Sequence, residues 1–229
     1  LSYIADKYPE HVESKIPDLV NTLRGDPKQV GCNTRAGAAS AIGSIGENNP
    51  KVIEDLISPK VEGRWAKQGE TPLTDAFDDD HEYVRRDVVD ALGKITAADP
   101  SLYQYTNGII VNKSLNDEYY QVVRRGVRAI EAIATTDSSV IADSISNLIT
   151  LLGHRNEYVR ETTAEVIGQI AKISPGLVES AQRPLIECLN DYSSDVRKEA
   201  CQTLMVMRAE SAGTEIRRLL NDNDETVRD

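Results

Sequence analysis

A short pattern recurs along the chain at nearly constant spacing. It is a Val-Arg pair followed by small and aliphatic residues and often by Gly and Ile, as in Val84-Arg85 with Gly93 and Ile95. Full or looser copies begin at residues 34, 84, 122, 159, 196 and 227, so that consecutive spacings are 50, 38, 37, 37 and 31 residues. This regularity predicts a repeat protein in which each copy packs mainly against its neighbours.

Each copy predicts a pair of helices joined by a polar turn. Counted from the first residue of the pattern, positions 0, +4, +7, +8 and +11 are mostly apolar, which is the stripe of an amphipathic helix. Another apolar helical stripe precedes it and ends seven residues before the pattern, at Phe77, Leu115, Leu152, Leu189 and Leu220. Because neither helix can bury its stripe alone, stacking of successive pairs is required to form a core.

The turns carry a family resemblance. An Asp-x-x-x-x-Val-Arg segment occurs at residues 79–85, 191–197 and 222–228, and Ala-Leu-Gly-x-Ile follows at residues 91–95. These motifs resemble the HEAT repeat over nearly the whole chain, and the last spacing is similar to the shorter PBS-lyase-type helical repeats. The resemblance implies an all-α fold: a right-handed α-α superhelix, or solenoid, of about five to six HEAT-like helix-turn-helix repeats.

The spacing also predicts the boundaries of the repeats. We expect a single solenoid over residues 1–229, with repeats at about 10–49, 50–99, 100–137, 138–174 and 175–210. Residues 1–9 are predicted to be the tail of a preceding repeat and residues 211–229 a partial one. We therefore expect the natural protein to extend in at least one direction.

The resemblance further implies a ladder of ion pairs between neighbouring repeats, formed by the turn Asp and the Arg of the pattern. The matching positions are Asp79, Asp117, Asp191, Asp222, Arg35, Arg85, Arg160, Arg197 and Arg228. Gln29 and His154 interrupt the Asp series, and Val123 interrupts the Arg series. The alternative is that the row of arginines forms an anion-binding stripe.

The 50-residue spacing indicates an insertion at residues 58–70. This segment holds the only tryptophan, Trp65, between Arg64 and Lys67 in an otherwise acidic chain. Insertions in repeat proteins often lie on the binding face, and aromatic residues and Arg are common anchors of protein interfaces. Trp65 is therefore predicted either to cover its own repeat or to contact a partner.

Two further surfaces are candidates for a partner. Five of the nine tyrosines lie in or beside the turns and either pack on the adjacent turn or form an exposed strip: Tyr83, Tyr119, Tyr120, Tyr158 and Tyr192. In HEAT-like stacks the second helix of each pair lines the concave side. The positions predicted to be charged and exposed there include Arg86, Asp90, Lys94, Arg125, Arg128, Glu161, Glu165 and Lys198.

Composition and motifs exclude several functions. A net charge of −11 disfavours nucleic-acid binding, and no apolar run is long enough to span a membrane. Cys32, Cys188 and Cys201 have neither disulfide-framework nor zinc spacing, so we interpret them as buried apolar residues of a cytoplasmic protein. The sequence contains no phosphate-binding loop and no hydrolase motif, and a single His81-Glu82 pair does not reproduce the recurring pairs of HEAT-like di-iron enzymes.

The sequence therefore predicts a non-catalytic scaffold or adaptor without a cofactor. We expect it to bind a protein or peptide on its concave face or at the insertion. The alternative, from the resemblance to lyase-type repeats, is an accessory subunit for attachment of a chromophore or prosthetic group.

Overall fold

The computed structural model describes residues 13–59 and 70–228, and every regular element in these two ranges is helical. The first half contains α1 (Ile16–Leu23), α2 (Cys32–Asn48), α3 (Pro72–Asp75), α4 (Glu82–Ala98), α5 (Tyr103–Asn107) and α6 (Tyr120–Thr136). The second half contains α7 (Ile145–Leu151), α8 (Glu157–Ile173), α9 (Gln182–Cys188), α10 (Ser194–Val206), α11 (Gly213–Leu219) and α12 (Glu225–Arg228). The predicted all-α, solenoid-type fold is confirmed.

The chain divides into two compact units, Leu1–Val140 and Ile141–Asp229. In the first unit α2 packs on α4 and α4 packs on α6, and in the second unit α8 packs on α10. Each of these is the second helix of a pair, so successive pairs stack through their second helices.

The second helices follow one plan. Helices α2, α4, α6 and α8 are all 17 residues long. Each ends where the amide of the following residue donates to the carbonyl of the isoleucine at position +11, as in the bond of 3.0 Å from Asp99 to Ile95. That isoleucine is fully buried in all four helices. The apolar stripe and the end of the helix therefore coincide, as the periodicity predicts.

The first helices are shorter and less regular. Turns of 3-10 helix precede or follow them, including Pro50–Val52, Pro100–Leu102 and Pro175–Ala181. Helix α5 continues into a π-helical segment at Gly108–Lys113 and a 3-10 turn at Ser114–Asn116. Proline at the start suits this geometry because the first residues of a helix have no intrahelical partner for their amide.

Glycine permits close contact between stacked second helices. A Cβ atom added to Gly93 of α4 would lie 2.7 Å from the Cβ atom of Ala129 on α6. The equivalent atom on Gly168 of α8 would lie 2.5 Å from the hydroxyl of Thr203 on α10. Any side chain at these positions would force the helices apart, because protein interiors are close-packed.

Helix α6 departs from this plan at two positions. Val123, which is fully buried, stands where the other copies have Arg, and Glu131 stands where α2, α4 and α8 have Gly. Helix α6 is the last helix of the first compact unit.

Candidate functional site

Bidentate ion pairs connect the turn of one repeat to the turn of the next. The guanidinium of Arg35 donates to both carboxylate oxygens of Asp79, at 2.7 and 2.8 Å. Arg85 binds Asp117 in the same way at 2.7 and 3.1 Å. The second unit contains two further pairs, Arg160 with Asp191 at 2.6 and 2.7 Å and Arg197 with Asp222 at 2.8 and 2.6 Å. We refer to these four pairs as the turn edge.

The turn edge is closed to other ligands by its own hydrogen bonds. The third nitrogen of Arg85 donates to the carbonyl of Asp79 in its own turn, at 2.9 Å. The carboxylate of Asp117 also accepts from the amide of Tyr119, at 2.9 Å. Only 11% of the Arg85 side chain and 6% of the Asp117 side chain remain exposed. The arginines at this edge therefore present little surface to an incoming anion.

The fifth arginine of the series, Arg228, makes only the bond within its own turn among the described residues. It donates to the carbonyl of Asp222 at 2.6 Å.

Electrostatics at the turn edge follow from this geometry. Burial alone raises the pKa of Asp79, but hydrogen bonds from Arg35 and from the His81 amide hold that pKa below its ordinary value. The hydrogen bond from Arg197 likewise lowers the pKa of Asp222. In turn, the hydrogen bonds to Asp117 raise the pKa of Arg85. These shifts in pKa favour the charged forms of Asp79, Asp222 and Arg85.

Two of the turn tyrosines, Tyr119 and Tyr192, pack on an arginine of the adjacent turn and also remain exposed. The Arg85 guanidinium lies 5.5 Å from the ring centre of Tyr119, and that of Arg160 lies 4.8 Å from the ring centre of Tyr192. These distances are within the range of cation–π contacts. The rings nevertheless remain accessible, with Tyr119 39% and Tyr192 74% exposed.

A second set of charged residues lines an open groove between α4 and α6. The groove has a volume of about 320 Å³ and is lined by Arg86, Gln121, Arg124, Arg125 and Arg128. A smaller recess of about 60 Å³, lined in part by Asp90 and Lys94, shares Arg125 and Arg128 with it. We refer to the two together as the arginine groove.

The arginine groove brings together five residues that the sequence predicts for partner binding: Arg86, Asp90, Lys94, Arg125 and Arg128. Gln121 and Arg124 also line the groove and are not among the predicted residues. Their signal is their position on α6, where residues 121, 124, 125 and 128 follow the spacing of one helical face.

The second unit places Glu161 and Glu165 one turn apart on α8, both half-buried. Lys198 of α10 lines a groove of about 410 Å³ together with Cys201, Met205 and Leu220. The predicted binding residues Arg64, Trp65 and Lys67 lie outside the described residues.

The cysteines differ in burial. Cys188 is buried, and burial raises the pKa of its thiol to about 11. Cys32 and Cys201 are half-buried, so the prediction that all three are buried is wrong for these two. Cys32 lies at the first residue of α2, where the start of the helix is open to solvent.

Over residues 13–59 and 70–228, the structure contains no group of three or more His, Cys, Asp or Glu residues placed to hold a metal ion. In the same ranges, no helix combines the length and apolar character needed to cross a bilayer.

Comparisons with known proteins show the fold. No family model and no curated protein matches the chain. Among solved structures it is similar to an engineered protein, with 19% identity, a TM-score of 0.63 and coverage of 93% of this chain and 92% of that one. It is also similar to computationally designed armadillo repeat proteins for modular peptide recognition, with 24% identity, a TM-score of 0.58 and coverage of 93% and 94%. The chain therefore has the fold of a helical repeat protein.

Proposed function

We propose that this chain is a non-catalytic scaffold that binds a protein or peptide segment along the second helices of its repeats. The observation that carries the proposal is the arginine groove, where α4 and α6 present several long polar side chains around one open depression. An open, charged surface on rigid helices suits recognition of a macromolecular partner better than enclosure of a small molecule.

The structural neighbours support this proposal through their fold. One of them is a designed armadillo repeat protein for modular peptide recognition, so a stack of this architecture can serve such a purpose. We further propose that the repeats are of the HEAT type, on the basis of the Asp-x-x-x-x-Val-Arg turns. A reducing, cytoplasmic setting agrees with three cysteines that form no disulfide.

Selection from a displayed library of random peptides tests the proposal. We expect the immobilised chain to enrich peptides that lose binding when a second-helix face is altered, by Arg125→Glu in the first unit or by Lys198→Glu in the second. Arg183→Glu on α9, whose side chain is 92% exposed, is the matched control and should leave binding unchanged.

Trp65→Ala in the same assay tests the insertion. Loss of binding in this variant alone would indicate that the binding site lies at residues 58–70 and not on the second helices. Failure to enrich any peptide over a column without protein would contradict the scaffold proposal.

A further inference from the structure

The arginine groove is a local concentration of positive charge in a chain of net charge −11. The residues that line it and their ion-pair partners include five cationic side chains, Arg86, Lys94, Arg124, Arg125 and Arg128. The carboxylates bonded to Arg86, Arg125 and Arg128 include Asp87, Asp90 and Glu131. In the part of the chain that the structure describes, the larger depression is lined by four arginines and Gln121 and by no carboxylate, which is unusual in a chain of acidic net charge.

The intramolecular ion pairs of the groove differ from those of the turn edge. The side chains of Arg86 and Arg125 are 36% and 44% exposed, and their carboxylate partners are 22% and 27% exposed. Arg125 donates one nitrogen to Asp90 at 2.9 Å, whereas the turn-edge arginines bind both carboxylate oxygens. Such exposed pairs contribute little to stability and exchange readily for another carboxylate.

The chemistry of guanidinium selects the ligand. Each guanidinium has five N–H donors in a planar fork that matches the two oxygens of a carboxylate. The arginines of α6 lie on one helical face, and residues 121 to 128 extend over about 10 Å at ~1.5 Å per residue. That length accommodates about three residues of an extended chain at ~3.3 Å each.

We propose that the arginine groove binds an acidic segment of a partner protein in extended conformation, through two or more of its carboxylates. The inference rests on the scaffold function proposed above and adds the chemical class of the partner. Carboxylates at alternate positions of the segment point to the same side, so two of them can face the arginines of the groove together.

The restricted size of the groove favours a protein segment over a nucleic acid. At physiological ionic strength, charge interactions are screened beyond about 8 Å, which is similar to the dimensions of the groove. A few carboxylates fit within this range, whereas a nucleic acid would continue along a surface with an acidic excess.

Fluorescence anisotropy with a labelled peptide of about eight alternating glutamate and serine residues tests the inference. We expect saturable binding that Arg86→Glu/Arg125→Glu weakens at least about tenfold. The control variant is Arg183→Glu on α9, whose side chain is 92% exposed and remote in sequence from the groove; it should bind as the unaltered chain does. Thermal unfolding of all variants should show that each is folded.

The probes separate this inference from the scaffold proposal. A peptide with glutamine in place of glutamate should not bind, and a single-stranded oligonucleotide should bind more weakly than the acidic peptide. Equal binding of the glutamine peptide, or equal binding to Arg86→Glu/Arg125→Glu, would overturn the acidic-segment inference. Library peptides that are neutral or basic and still depend on second-helix residues would then leave the scaffold function intact.

Preference for the oligonucleotide would overturn the inference in a different way, because it would identify the groove as a nucleic-acid site.

Discussion

Arg85 and Arg86 are neighbours on α4, yet they belong to two different regions of the molecule. Arg85 points to the turn edge, where Asp117 binds it through both oxygens and the carbonyl of Asp79 accepts from its third nitrogen. Arg86 points to the arginine groove, where it is bonded to the adjacent Asp87 and lies 5.4 Å from the ring centre of Tyr83. The comparison teaches that the surroundings of an arginine, and not its presence, separate a structural position from a candidate binding position.

Alanine substitution at Arg85 and at Arg86 gives the largest expected difference in the free energy of unfolding. Arg85→Ala leaves the Asp117 carboxylate largely buried without its cation, so we expect the free energy of unfolding to fall by about 3 kcal/mol. Arg86→Ala removes an exposed pair and should change it by less than about 1 kcal/mol. Urea denaturation of both variants measures the two values. Equal losses would show that the turn edge and the groove do not differ in this way.

Acidification should lower the stability that the turn edge contributes to the folded chain. The pKa values of Asp79 and Asp222 are lowered in the folded chain, so their contribution to stability is complete above the ordinary aspartate pKa of about 3.9. It is lost as the pH falls below that value toward the lowered folded pKa, because protonation then favours the unfolded state.

Unfolding monitored by circular dichroism between neutral pH and about pH 2.5 measures this effect. The double variant Asp79→Asn/Asp222→Asn should be less stable at neutral pH and should lose less stability on acidification. Asp143→Asn, which removes an exposed carboxylate, is the control and should follow the unaltered chain. An unchanged acid slope in the double variant would contradict the assignment.

A third kind of arginine gives the smallest expected effect. Arg208 follows α10 with a φ of 52°, in the left-handed region that favours glycine. The amide of Ala209 donates to the carbonyl of Leu204 and that of Arg208 to Met205, which is a Schellman ending of the helix. We expect Arg208→Gly to stabilise the chain by about 0.5–1 kcal/mol in thermal unfolding, because the strain is relieved. Met207→Gly should destabilise it instead, since Met207 has helical φ and ψ values.

The sequence predicts the second helices well because the apolar residues that define each of them lie within that helix. The positions of Val84, Val88 and Ile95 determine both the buried face of α4 and its register. The first helices are less predictable, since the π-helical segment after α5 and the 3-10 turns depend on packing against the following helix. The end of helix α10 is also hard to predict. This helix has 13 residues, and no glycine in the sequence marks its end before Arg208.

The candidate site was only partly predictable for a related reason. The positions of Arg86, Arg125 and Arg128 follow from helical periodicity. The contribution of Arg124 and Gln121 to the same groove depends on how closely α4 approaches α6, and that distance is set by Gly93 and Ala129. Similarly, the presence of an arginine in the sequence does not show whether its guanidinium binds one or both oxygens of a partner carboxylate.

The turn-edge pairs also have a direction. Two repeats, those of Asp79/Arg85 and of Asp191/Arg197, accept a guanidinium on the aspartate from the repeat before and donate the arginine to the repeat after. A duplicated repeat of this kind would contain both the accepting aspartate and the donating arginine. It could therefore form ion pairs with the repeats on either side without any further substitution. Arrays of different length can therefore arise by simple tandem copying, and only later substitution is needed to make their members distinct.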